Sequence, residues 1–193
     1  MPAPERTSTE AIVAAGRAIL EESGPASLTM QAVATRVGVR APSLYKRVRD
    51  RDALLTAVAE AAIDELGSRL ADSVSGSGSD SGTGTGTGTD NSGTDLTKLA
   101  EVYRAFAHEH PESFRLMFTA SAPVDALHRA SEPVLRAAAA LVGEADALDA
   151  ARLFTAWATG FLQMELSGAF RLGGDVGRAF DYGLRRLLAG LTA

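Results

Sequence analysis

The chain has 193 residues, is 46% hydrophobic and 22% charged, carries a net charge of −5 and contains no cysteine. It can bury a core, which excludes a wholly disordered chain, and no run approaches the roughly 18 to 20 uninterrupted apolar residues of a bilayer span. Without cysteine there is no disulfide, zinc-thiolate site or thiol catalysis, and the opening Met1-Pro2-Ala3-Pro4-Glu5 leads into no apolar leader segment, so a cytoplasmic protein without membrane association or cofactor is expected.

Strand signals are sparse, and apolar residues recur instead at three- and four-residue steps. Ile12, Ile19 and Leu20 share one face of a helix over about 8–23, stopped by Gly24-Pro25. Thr29 is placed to cap a short helix with Met30, Val33, Ala34 and Val37, which Gly38 ends. Another short helix runs through Leu44 and Tyr45 to about Arg47. Asp50 can cap a longer one in which Leu54, Leu55, Val58, Ala62, Leu66 and Leu70 recur to about residue 72. From Ser73 to Asp95 the sequence turns to Ser-Gly and Thr-Gly repeats, which predict a flexible loop.

Helical spacing returns with Leu96, Leu99, Val102, Tyr103 and Phe106. Pro111 then suits the first turn of a helix through Phe114, Met117 and Phe118. Pro123 opens a helix toward Val142 with a kink expected at Pro133. A long helix is predicted from Asp146 to about Phe170. Gly173-Gly174 breaks the chain, and Phe180, Leu184, Leu187, Leu188 and Leu191 stripe a last helix. The fold class is all-α, with about nine helices.

The charge is uneven. Residues 36–51 hold Arg36, Arg40, Lys46, Arg47, Arg49 and Arg51 against the single acid Asp50, so the remainder of the chain is correspondingly acidic. That pattern suits a small phosphate-contacting face on an acidic body, or simply a solvated basic surface. The same region, about 29–48, reads as helix, tight glycine turn, helix. Ala34 is small where the helices cross, and Val33, Val37, Val39 and Leu44 supply a shared core. This is helix-turn-helix geometry, in which the second helix offers its first side chains to the DNA major groove.

Residues Thr29-Met-Gln-Ala-Val-Ala34, Val37-Gly38-Val39, Ser43-Leu44-Tyr45 and Arg51-Asp-Ala-Leu-Leu55 resemble the DNA-binding domain of the tetracycline-repressor-like (TetR) family. The spacing from Gly38 to Tyr45 to Leu54 makes the match specific. Trp157-Ala-Thr-Gly160, Met164-Glu-Leu-Ser-Gly168, His110-Pro-Glu112 and Arg115-Leu-Met-Phe118 resemble the family branch with a Trp-His-Gly signature in its penultimate helix. Three positions depart from the family: Arg40 replaces a capping Ser or Thr, Arg47 a His or Tyr, and Val48 an aromatic.

The resemblance implies a helix-turn-helix domain at 1–50, a connecting helix at 51–72, the loop at 73–95, and a ligand-binding and dimerisation domain at 96–193. It implies a regulator, a repressor by family habit, that binds a palindromic double-stranded DNA operator as a homodimer and is released by a small apolar effector. Arg40, Ala41, Pro42 and Ser43 would face base edges. Thr29, Tyr45, Lys46 and Arg51 would hold phosphates, although Tyr45 also reads as a packed core aromatic. The effector cavity would draw on Tyr103, Phe106, Phe114, Met117, Phe118, Trp157, Phe161 and Met164, each of which also reads as plain core. Gln163, Glu165 and His128 are further polar candidates for that cavity.

The last two helices carry more apolar and small-residue surface than one buried face needs. Ala158, Gly168, Leu184, Leu187, Leu188 and Leu191 are the candidate seam of a twofold four-helix interface. The alternative is a monomer whose last helix only covers the core. Two rival functions stand beside the regulator: a helical adaptor without DNA binding, and an enzyme. No nucleophile–base pair is visible, and His108-x-His110 lacks a third metal ligand nearby.

Overall fold

The computed structural model describes residues 8–75, 89–120 and 122–192. Among these, nine helices run in chain order: α1 (Thr9–Ser23), α2 (Met30–Val37), α3 (Ala41–Leu44), α4 (Arg51–Ser75), α5 (Thr89–Glu109), α6 (Pro111–Leu116), α7 (Val124–Val142), α8 (Ala147–Leu166) and α9 (Val176–Leu191). A 3-10 turn, Pro25–Ser27, joins α1 to α2. No strand occurs among the described residues, as the absence of alternating apolar patterns requires.

Local chemistry sets the ends of the early helices. The Ser8 Oγ accepts from the Ala11 N–H at 3.1 Å, and the Thr29 Oγ1 accepts from the Ala32 N–H at 3.1 Å. Both satisfy a first-turn donor that has no helical partner. Asp50 does the same for α4, where its Oδ1 takes the Ala53 N–H at 2.8 Å. At the end of α2, Gly38 adopts φ +75°, a left-handed conformation that costs glycine little and other residues more.

The chain divides into two compact units. The first comprises residues 1–65 and 110–127, the second 66–109 and 128–193. The core of the first is Ile12, Leu20, Leu28, Val33, Ala34, Leu44, Leu54 and Val58, all essentially without solvent contact. α1 lies so close to α4 that a Cβ on Gly16 would come within 3.2 Å of Val58 Cγ2. α6 belongs here as well. Leu116 joins the same core, and the Glu21 carboxylate accepts the N–H groups of Glu112 and Ser113 at 3.1 and 2.8 Å.

The second unit packs α5, α8 and α9 with the end of α4 and most of α7. Leu96, Leu99, Phe106, Phe154, Ala158, Leu162 and Phe180 fill it. Two helix crossings leave no room for a side chain unless a neighbour shifts. A Cβ on Gly67 would lie 2.9 Å from the Ala130 Cα, and one on Gly183 would lie 2.7 Å from Trp157 Cζ2.

Several boundaries differ from those read in sequence. α4 continues to Ser75 and α5 begins at Thr89, which narrows the predicted 73–95 loop; its remainder, 76–88, lies outside the described residues. α8 stops at Leu166 rather than near Phe170, because Gly168 turns left-handed at φ +65° just beyond the Ser167 N–H bond to the Gln163 carbonyl. Pro133 lies inside α7, which runs unbroken from Val124 to Val142. α6 ends at Leu116, so Met117 and Phe118 fall in the turn after it.

Candidate nucleic-acid interface

α3 begins directly after the Gly38 turn. Arg40 occupies its N-cap and supplies no side-chain cap; instead its backbone carbonyl accepts the Ser43 N–H at 2.9 Å. Pro42 in the first turn has no N–H to satisfy, so the short helix starts without a polar cap. Leu44 is fully buried and anchors the helix to the core of the first unit. Arg40, Pro42, Tyr45 and Lys46 are exposed, while Ala41 and Ser43 are half-buried. Tyr45 is 54% exposed, which places its ring at the surface and not in the core.

The six cations of 36–51 differ in what they do. Arg36 forms a two-armed bond to Glu22, at 2.7 and 2.5 Å. Arg49 Nε donates to Asp50 Oδ2 at 2.7 Å; the Ala53 N–H first and this guanidinium second hold the Asp50 carboxyl below its usual range. Arg51 donates from Nε to the Leu28 carbonyl at 2.8 Å and from Nη2 to the Pro25 carbonyl at 2.6 Å. Through these two bonds the Nε–Nη2 edge of the Arg51 guanidinium is occupied by the protein's own backbone. Thr29 is exposed, yet its hydroxyl oxygen caps α2. The side chains of Arg40 and Lys46 carry no hydrogen bond or ion pair among the described residues. With Tyr45 they form the open part of the patch.

The expected effector residues are drawn from both units. Phe114, Met117 and Phe118 lie in the first unit, whereas Tyr103, Phe106, Trp157, Phe161 and Met164 lie in the second. Phe114 is fully buried and meets Phe118 edge-on at 5.3 Å, while Phe118 and Met164 are each 47% exposed. In the second unit Trp157 and Phe161 pack on Phe180 at 5.2 and 5.3 Å, and Phe161 on Phe170 at 4.8 Å. Phe106 is fully buried beneath the Arg69 guanidinium, 5.5 Å from its ring centre.

The polar groups around these rings are largely engaged. The Tyr103 hydroxyl bonds Thr159 Oγ1 at 2.9 Å, and burial pushes its pKa up to about 12. Arg104 lies 4.9 Å over the Phe180 ring and grips Glu165 through Nε and Nη2 at 3.2 and 2.5 Å. The His108 Nε2 is 3.3 Å from the same carboxylate. Burial opposes the charge on Glu165, but Arg104 and then His108 outweigh it and lower its pKa. Glu165, a candidate cavity group by sequence, thus ties α5 to α8. An open concavity of about 490 Å³ lies elsewhere, lined by Leu141, Asp146, Asp149, Leu153 and Leu191 among others.

The expected seam also needs revision. Ala158 has no exposed surface and Leu184 only 4%, so both belong to the core of the single chain. Gly168 stands just beyond the end of α8. Leu187, Leu188 and Leu191 are half-buried. The apolar residues these helices expose are Leu148, Leu153, Met164 and Tyr182, which helical periodicity alone did not separate from the core.

Among the described residues no group of three or more His, Asp and Glu side chains is arranged to hold a metal ion. No helix among them is long and apolar enough to cross a membrane.

Comparison with known proteins agrees with this architecture. Residues 5–58 match the family of bacterial regulatory proteins of the tetR type, and residues 96–187 match the tetracyclin repressor-like C-terminal domain. An uncharacterized HTH-type transcriptional regulator of Mycobacterium tuberculosis is 32% identical over 108 residues, 56% of this chain and 44% of that protein. The chain thus spans less than half the length of that relative. A Rhodococcus sp. RHA1 protein of unknown function superposes with a TM-score of 0.78 at 24% identity, over 98% of this chain and 99% of that one. A TetR variant from Acinetobacter baumannii AYE, in complex with minocycline, gives 0.68 at 23% identity, over 95% of each chain. With a tetR-type match over its N-terminal residues and a tetracyclin repressor-like match over its C-terminal ones, the chain belongs to the TetR family of bacterial regulatory proteins.

Proposed function

We propose that this protein is a cytoplasmic ligand-responsive repressor that binds a palindromic DNA operator as a homodimer and is released by a small apolar effector. The observation that carries the reading is the surface of α3. Arg40, Tyr45 and Lys46 are exposed beside Ala41, Pro42 and Ser43, immediately after the left-handed Gly38 turn. Arg40 suits a guanine edge, Tyr45 and Lys46 suit phosphates, and Ala41 or Pro42 suits a thymine methyl.

Dimerisation is supported by the apolar surface that α8 and α9 leave exposed, Leu153, Met164 and Tyr182 in particular. A second copy would cover it, and two heads would double the half-site read. The effector reading rests on the aromatic cluster of Trp157, Phe161, Phe170 and Phe180, with Tyr103 and Thr159 as a nearby polar pair. A structural neighbour was crystallised with minocycline, which supports a body of this fold admitting a small molecule.

A gel-shift titration with DNA from upstream of the protein's own gene tests the reading. Binding should be that of a dimer and should weaken steeply as salt rises, because each phosphate contact releases a counterion. Tyr45→Phe and Lys46→Ala should weaken binding to every sequence, whereas Arg40→Ala should alter sequence preference. Absence of binding to any upstream DNA would leave the adaptor reading in its place.

A further inference from the structure

We propose that Arg51 is a positioning residue of the DNA interface: it fastens the α1–α2 turn to the start of α4 and makes no phosphate contact of its own. The inference rests on the DNA-binding reading of α3.

The geometry is specific to a guanidinium. Arg51 Nε reaches the Leu28 carbonyl at 2.8 Å, and Nη2 reaches the Pro25 carbonyl at 2.6 Å. These two carbonyls bracket the 3-10 turn, and Leu28 immediately precedes Thr29. Thr29 caps α2 through the Ala32 N–H. Leu28 is fully buried while Thr29 is exposed, so the clamp grips the chain where it passes from core to surface. The two carbonyls face neighbouring donors of one rigid planar fork, a pre-organised geometry that an ammonium on a flexible stem does not supply.

Three further observations separate Arg51 from the other cations. It stands at the first position of α4, behind the Asp50 cap, so its own backbone is held. The Nε–Nη2 edge of the guanidinium, one of the edges by which an arginine forks a phosphate, is already bonded to protein. The side chains of Arg40 and Lys46, in contrast, have no protein partner among the described residues. The clamp therefore decides where the first turn of α2 stands, and the open cations supply the charge.

The two roles predict different salt dependences. Anisotropy titrations of a labelled mixed-sequence duplex over a range of salt, with the full chain, compare wild type, Arg51→Lys, Arg51→Gln and Lys46→Gln. Lys46→Gln should lower the slope of log K against log salt by about 0.9 for each phosphate that is no longer neutralised. Both Arg51 variants should keep the wild-type slope. On DNA from upstream of the gene, both should bind severalfold more weakly than wild type at temperatures where melting shows them folded. Hydrogen exchange of the Ala32 amide should quicken in both. Should Arg51→Gln not fold, Arg51→Met takes its place in the slope comparison, and Arg51→Lys, which keeps the charge, still tests the fork through affinity and amide exchange.

The inference is overturned if Arg51→Gln loses slope as Lys46→Gln does, or if Arg51→Lys binds like wild type, since charge and not the fork would then matter. Lowered melting with unchanged DNA affinity also overturns it, leaving a purely structural residue. Failure of the wild-type protein to bind either duplex would instead overturn the DNA-binding reading itself.

Discussion

Gly183→Ala opposes two effects whose sizes can be set from the structure. Gly183 lies within α9, where exchanging glycine for alanine ordinarily gains about 1 kcal/mol of helix stability. At this position, however, the new methyl would stand 2.7 Å from Trp157 Cζ2 and 3.2 Å from Cε2. The indole has little room to retreat, because Phe180 and Phe161 pack against it with ring centres 5.2 and 6.0 Å away. Overpacking of such a core costs about 1–3 kcal/mol, so the net change should run from near zero to about 2 kcal/mol of lost stability. Gly190→Ala is the control: it lies in the same helix and its Cβ would meet nothing within 4 Å. With propensity largely cancelled, the two variants should differ by about 1–3 kcal/mol. For a protein of this size that is a separation of roughly 2 to 12 °C in midpoint. Thermal unfolding of both, followed by circular dichroism under identical conditions, measures it. If Gly183→Ala melts at or above Gly190→Ala, the tight Trp157 contact does not constrain α9.

Two further outcomes are expected. Tyr103 should titrate above the ordinary 10.0, because burial pushes its pKa up to about 12; its neutral form favours the folded state, so that stability is complete below pH 10 and lost as pH rises through about 12. Absorbance at alkaline pH should therefore show a late phase that Tyr103→Phe removes, and a late phase that survives this substitution would contradict it. Glu21→Ala should free the Glu112 and Ser113 amides that its carboxylate now holds; with a cap contributing about 0.5–2 kcal/mol, their hydrogen exchange should quicken by roughly 2- to 30-fold. Unchanged protection at those two amides would show that α6 is held by Leu116 and the core alone.

What the sequence by itself determined was set by near neighbours in the chain. Thr29 and Asp50 cap the helices that follow them because a cap needs only the N–H three residues on. Gly38 turns the chain between α2 and α3 because only a residue tolerant of positive φ suits that place. Apolar spacing of three and four marked most of the nine helices, and the motif from Thr29 to Leu55 carried the family. Tertiary structure decided what depends on distant partners. Arg51 reads as a surface cation until the carbonyls of Leu28 and Pro25, 23 and 26 residues away, come within reach. Glu21 meets the start of α6 across 91 and 92 residues, which no local pattern encodes. α8 is apolar on more than one face, so periodicity could not tell buried Ala158 from exposed Leu153 and Met164. Which face of such a helix turns inward is settled by the helices packed against it, and that is a property of the folded chain and not of any short stretch of its sequence.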